Sequence, residues 1–207
     1  MPKGNIKQEA IKLVENLPED AILTNGAGNY TVWVHRFYQH RRFRTQVAPT
    51  SGTMGYGLPA AIGAAICAPD REVVAVAGDG CFMMTCQEMA TAVHHGLNLT
   101  VIVIDNARYG TIRAHQEREY PNRISGTELT NPDFSDFARS FGAFAIKAQD
   151  QASFVAALAE ARARTGVKLI EVKAHRDYRA DLNSDASVGF DPKRIYLFDT
   201  ASGQRLR

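Results

Sequence analysis

Short runs rich in β-branched residues alternate with helical patterns along most of the chain, and that rhythm admits few folds. Residues 21–25 (AILTN), 72–77 (EVVAVA), 99–105 (LTVIVID), 144–148 (FAIKA) and 168–173 (KLIEVK) read as strands. The third and fourth are apolar enough to lie inside a sheet covered on both faces. The expected fold is therefore α/β: a three-layer αβα domain around a central, mainly parallel sheet of about six strands.

Helix signals fill the gaps. Ile6, Ala10, Leu13, Val14 and Leu17 recur at helical spacing until Pro18. Thr85-Cys86-Gln87-Glu88 has the form of a capping box for a helix running to about His95, with Glu88 in a capping role. Asn131-Pro132 reads as an N-cap followed by proline at the first helical position. Asp150 caps another helix, with Phe154, Ala157, Leu158 and Ala161 on its apolar side and Gly166 past its end.

A chain of 207 residues buries one substantial core, and the βα pattern closes near residue 176. Residues 1–176 are thus read as one domain, and 177–207 as a tail that forms a hairpin or a surface wrap. A formal charge of +2, 22% charged residues and no run of eighteen apolar residues argue against disorder, a membrane span and a secretory signal. Cys67, Cys81 and Cys86 form neither a disulfide framework nor a zinc pattern, so a reducing cytoplasm is the natural compartment.

Glycines cluster after the strands, where open parallel sheets bind ligands. Gly26-Ala27-Gly28 opens like a dinucleotide fingerprint, but its third glycine position is Thr31 and no Asp or Glu occurs between Asp20 and Asp70. NAD or FAD is not expected there. The same acid-free stretch holds Arg36, Arg41, Arg42 and Arg44 among aromatic residues. It is read as a solvated basic face with Trp33 and Phe37 packed inward, rather than as a nucleic-acid platform.

Two further loops carry more chemistry. In the first, Gly52, Gly55 and Gly57 surround Met54, a bulky side chain displayed from a bare loop, and a small-residue helix follows Pro59. In the second, Gly78-Asp79-Gly80-Cys81 sits between a strand and a helix, and Asn106 follows the next strand. A carboxylate, an amide oxygen and a carbonyl make half of the octahedron that Mg²⁺ requires, leaving room for phosphate oxygens.

The run from G78-D79-G80 to D105-N106 resembles the thiamine diphosphate motif. The loop S51-G-T-M-G-Y-G-L-P-A-A-I-G63 resembles the aminopyrimidine-side loop of the acetolactate synthase-like branch of that superfamily, and the likeness spans roughly residues 5–175. It corresponds to the C-terminal, pyrophosphate-binding domain of those enzymes. The resemblance implies Mg²⁺ held by Asp79, the Asn106 side chain and the Arg108 carbonyl. It implies thiamine diphosphate met by Asn29, Tyr30, Gly78 and backbone groups of Gly80 and Cys81, with Met54 beneath the cofactor and the Gly52 carbonyl accepting from its 4′-amino group. The implied reaction is decarboxylation or carboligation of 2-oxo acids, lyase or transferase chemistry. In this family a glutamate on a different domain, supplied by the partner subunit, contacts the aminopyrimidine. A pyrimidine-binding domain in the same or another chain, a homo-oligomer and half an active site here are therefore implied. A non-catalytic cofactor-binding module, or a decarboxylase or acyl-CoA lyase of the same superfamily, are the alternatives.

Three positions depart from the family pattern. Cys81 stands where many relatives have Ser or Ala, which leaves its N–H unchanged. Asp105-Asn106 replaces a paired Asn-Asn. His115 stands where acetolactate synthases usually carry tryptophan, and the only tryptophan here is Trp33. His115, read as part of a loop facing substrate, is the candidate proton donor or polar contact.

Overall fold

The computed structural model describes residues 16–174, together with the backbone pairs 197–198 and 205–206. Of the expected opening helix only its last residues fall in that range, and Leu17 is buried. Six parallel strands form the sheet: β1 (Ile22–Asn25), β2 (Gln46–Val47), β3 (Val73–Gly78), β4 (Leu99–Asp105), β5 (Phe144–Ala148) and β6 (Val167–Lys173). Their order across the sheet is β2-β1-β3-β4-β6-β5, so β5, expected inside the sheet, lies at its edge, where only Ala145 and Ala148 are buried. Strand β2 was not expected. Two residues long and at the edge, it offers no alternating pattern to read.

Alternate residues of the central strands feed two cores. Val73, Ala75 and Val101 face a cluster with helices α2 (Gly57–Cys67), α4 (Glu88–His94) and α6 (Phe134–Ser140), and with Phe82 of the short α3 (Asp79–Met83). Val74, Val76 and Ile102 face α1 (Asn29–Phe37) and α7 (Gln151–Arg162). That division makes the three layers. The remaining helix, α5 (Gly110–Glu119), buries no residue and is held by polar contacts instead. Gln116, for example, exchanges hydrogen bonds with the backbone of Ser125.

The α7 signals read correctly: Asp150 and Ser153 form a reciprocal capping box, and Phe154, Ala157, Leu158 and Ala161 are buried. Three other local expectations need correction. Thr85 does not cap α4; its hydroxyl donates to the Gly55 carbonyl at 2.8 Å, tying that loop down, and the Glu88 carboxylate accepts from Thr91. Asn131 is not the N-cap of α6. Asp133 is, with its side chain accepting from the Asp136 N–H at 3.0 Å. On α1 the inward residues are Tyr30 and Val34, while Trp33 and Phe37 are half-buried and stack at 5.8 Å along the flank. In the tail, Leu197–Phe198 (β7) and Arg205–Leu206 (β8) pair antiparallel. Among the described residues no helix is long and apolar enough to cross a membrane.

The link from α1 to β2 carries a pH-sensitive contact. Thr45 donates its hydroxyl proton to the Arg42 carbonyl, so it accepts from His40 Nδ1 at 2.9 Å, and His40 Nε2 is buried without a partner among the described residues. Burial, and then the neighbouring His35, hold the His40 pKa below its ordinary value. The folded chain therefore binds this proton less readily than the unfolded chain. Stability is full above the ordinary histidine pKa of about 6.5 and falls as pH drops through it. The urea midpoint is expected to be lower at pH 5.5 than at 7.5. His40→Asn, which keeps a donor for Thr45 and does not titrate, is expected to shrink that difference.

Candidate cofactor site

Because β1, β3 and β4 run parallel, their carboxyl ends share one rim, and the three glycine-bearing loops meet there. They enclose a cavity of about 260 Å³. Its floor is Gly78, Asp79, Gly80 and Cys81; Asn29, Tyr30 and Trp33 of α1 form one side. Met54 and Gly52 come from the second loop, and Asn106, Arg108 and the first turn of α5 close the opposite side. Thr111 of α5 donates to Asn29 Oδ1 at 2.8 Å, joining the two sides.

Cys81 knits the loops together. Its Sγ lies 3.3 Å from the Tyr30 hydroxyl and 3.2 Å from the Gly55 amide, which donates to it. Tyr30 Oη in turn accepts from the Gly26 N–H at 3.0 Å. The Tyr30 hydroxyl is thereby committed to protein partners, and burial followed by the adjacent Cys81 raises its pKa. What Tyr30 presents to the cavity is its ring and a first-turn amide. Glycine at position 26 is a packing requirement, since a Cβ there would sit 2.4 Å from Cys81 Sγ.

Asp79 is 3% exposed and receives one hydrogen bond on each oxygen: Gly80 N–H to Oδ1 and Asn131 Nδ2 to Oδ2, both 2.8 Å. The Gly80 amide is thus directed at its neighbour's carboxylate. Its missing side chain serves the wall, because a Cβ would lie 2.4 Å from the Tyr109 ring. Burial, and also the charge of Asp105, push the Asp79 carboxyl above its ordinary pKa. Asp105 goes the other way. Burial opposes its ionisation, but Lys173 and the Asn131 amide together hold it low.

After β4 the backbone turns sharply at Ala107, whose φ of 56° is left-handed. Antiparallel bonds then strap residues 107–109 to 127–129: Leu129 N–H to the Ala107 carbonyl and Tyr109 N–H to the Thr127 carbonyl, both 2.9 Å. That strap fixes Asn106 and Arg108 at the rim. Asn106 Oδ1 accepts from Arg108 N–H at 3.2 Å. Met54 is partly buried against the α1 core and lines the cavity.

Every cofactor and metal candidate therefore borders this cavity. His115 does not. It lies on α5 rather than in a loop, exposed, with Nδ1 2.9 Å from Arg118. Sequence reasoning missed Trp33 and Ile112 as apolar wall and Asn131 behind Asp79. The signal for Asn131 existed in Asn131-Pro132-Asp133, where two residues can cap a helix and only one is needed.

The family described as thiamine pyrophosphate enzyme, C-terminal TPP binding domain, matches residues 26–172. An acetolactate synthase large subunit from Parasynechococcus marenigrum (strain WH8102) is 35% identical over 171 residues, 82% of this chain and 28% of that protein. The isozyme 2 large subunit of Escherichia coli (strain K12) is 38% identical over 133 residues, 63% of this chain and 24% of that protein. The chain thus spans under a third of these relatives' length. A solved thiamine diphosphate-dependent 4-hydroxybenzoylformate decarboxylase from Rhodococcus jostii RHA1 superposes with a TM-score of 0.80 at 24% identity, covering 86% of this chain and 34% of that one, a likeness of fold. Since the family match runs from the first glycine loop through the last parallel strand, the chain belongs to the C-terminal thiamine pyrophosphate-binding domains of acetolactate synthase-like enzymes.

Proposed function

We propose that this domain binds the diphosphate of thiamine diphosphate through Mg²⁺ and forms half of an active site that decarboxylates or ligates 2-oxo acids. The observation that carries it is the convergence of Asp79, Asn106 and Arg108 with the glycine loops on one cavity. The donor chemistry fits a hard cation. Asp79 is a buried carboxylate that pairs with no basic side chain among the described residues, and each of its oxygens keeps an unused lone pair. Two positive charges beside it would offset the burial that opposes its ionisation.

Asp79, the Asn106 amide oxygen and the Arg108 carbonyl would hold Mg²⁺. The first-turn amides of α1 at Asn29 and Tyr30, which lack intrahelical acceptors, and backbone groups at Gly78 and Cys81 would meet the diphosphate. Gly80 contributes by letting Tyr109 close the wall. Met54 gives the cofactor an apolar support, and Gly52, with φ of 66°, leaves its loop bare on the cavity side. When bound, thiamine diphosphate supplies the acidic carbon and electron sink for cleaving bonds next to a 2-oxo group. Trp33 and Ile112 give that part of the cavity an apolar wall.

The exposed apolar residues Tyr56, Met83 and Met84 beside the Gly55 loop are read as part of the surface that meets a pyrimidine-binding domain, in a cytoplasmic homo-oligomer. His115 is kept as a polar contact to substrate only at the outer edge, since it stands one helical turn beyond Ile112. Calorimetric titration with thiamine diphosphate tests the reading. Binding is expected with Mg²⁺ and not with EDTA, and equal affinity in both would reject the metal.

A further inference from the structure

Two buried carboxylates, Asp79 just after β3 and Asp105 at the end of β4, converge on a single amide. Asn131 Nδ2 donates to Asp79 Oδ2 and to Asp105 Oδ1, each at 2.8 Å, so its two protons serve two carboxylates. Asn131 does not line the cavity, and neither ion-pair partner of Lys173 is Asp79: the ammonium pairs with Asp105 and with Glu171. We propose that Asn131 is the positioning residue for the divalent cation, clamping Asp79 against a charge-compensated Asp105 so that Asp79 alone offers an uncompensated carboxylate. This rests on the reading of Asp79 as a cation ligand.

The clamp is rigidly placed. Three residues beyond Asn131, Phe134 packs edge-on against Phe82 of α3 at 5.6 Å, which fixes the start of α6 relative to the turn bearing Asp79. Ser135 donates through both its N–H and its hydroxyl to Glu171 Oε2, each at 3.0 Å. Glu171 Oε1 meets Lys173, and Lys173 meets Asp105, which returns to Asn131. Two ionised carboxylates facing each other across a dry gap repel. Asn131 fills that gap with a neutral double donor, and Lys173 cancels the charge on the side away from the cavity. A ligand oxygen rotated by tens of degrees no longer points its lone pair at a small cation that demands near-ideal geometry.

The test is a titration of the 207-residue chain with Mn²⁺ in the presence of thiamine diphosphate, alone and with a pyrimidine-binding domain added, reading free Mn²⁺ by its paramagnetic resonance signal. Asn131→Ala and the volume-matched Asn131→Leu are expected to weaken Mn²⁺ about 10–100-fold, as loss of an outer-shell partner typically does. Asn131→Gln, which keeps both donors on a longer arm, is expected to recover part of that loss. Asp133→Ala removes the cap of α6 and is expected to lower the melting temperature while leaving Mn²⁺ affinity unchanged. Unaltered affinity in Asn131→Leu overturns the proposal. So does an equal loss in Asp133→Ala, which would make the effect one of helix stability. Absence of Mn²⁺ binding by the unaltered chain in both settings overturns the metal reading itself, and the clamp with it.

Discussion

Asp79→Ala is expected to abolish Mg²⁺-dependent binding of thiamine diphosphate, weakening it by more than about 100-fold, beyond what a lost outer-shell partner costs. The fold is expected to survive. The change removes a buried charge whose own environment disfavours it, and it leaves Asn131 still bonded to Asp105. The orphaned donors are the Gly80 amide and one Asn131 Nδ2 proton, each worth about 1–3 kcal/mol if it finds no water, and relief of the repulsion with Asp105 offsets part of that. Calorimetry and a thermal melt on the same sample check both halves. Wild-type affinity in this variant would remove Asp79 from the metal site, whereas lost affinity with a collapsed melt would show it to be a structural residue.

Strand β4 was read as an inner strand because it is too apolar to sit elsewhere, and it is buried along its whole length. Strand β5, read the same way, lies at the edge, since its short apolar run does not distinguish an inner strand from an edge strand covered by helices. Edge strand β2 was illegible because two residues, one exposed and one half-buried, carry no period. Helix α7 was legible through its cap and its buried stripe together. The errors at Thr85 and Asn131 share one cause. Both residues have the local chemistry of a cap, and both were drawn into contacts with loops distant in sequence, Gly55 and Asp79 respectively. Short-range rules cannot weigh such partners.

At the site, residue types and spacing were enough to bring three loops to one rim, because parallel strands place every carboxyl end on the same side. The internal wiring was not available. That Gly80 points its amide at Asp79, that Tyr30 gives its hydroxyl to Cys81, and that Asp105 needs Lys173 all depend on side-chain directions set by packing. The Asp105 departure from the family's paired Asn-Asn is explained in the same way. A carboxylate is tolerated there, 4% exposed, because the neighbouring strand β6 delivers the Lys173 ammonium opposite it in register.

The 207-residue chain assayed by itself is expected to show no appreciable release of carbon dioxide from pyruvate or other 2-oxo acids, even with saturating Mg²⁺ and thiamine diphosphate. Family resemblance assigns activation of the aminopyrimidine to a glutamate on another domain, and among the described residues the cavity wall contains a single carboxylate, Asp79, the one proposed for the metal. Two glutamates of this chain that could be thought to substitute, Glu88 and Glu117, are engaged elsewhere. Glu88 accepts from Thr91, and Glu117 is paired with Arg113 at 2.8 Å; neither borders the cavity. Assisted proton transfer is typically worth ~10²–10⁴-fold, so a chain that anchors the cofactor without that assistance binds and does not turn over. Holding the diphosphate and moving the proton are separable tasks. Carbon dioxide release should appear only when a pyrimidine-binding domain is added in trans, and replacing that domain's glutamate with glutamine should remove it again. Robust turnover by the lone chain would mean that Glu88 or Glu117 leaves its present partner when the cofactor binds, a result that Glu88→Gln and Glu117→Gln would then assign to one of them.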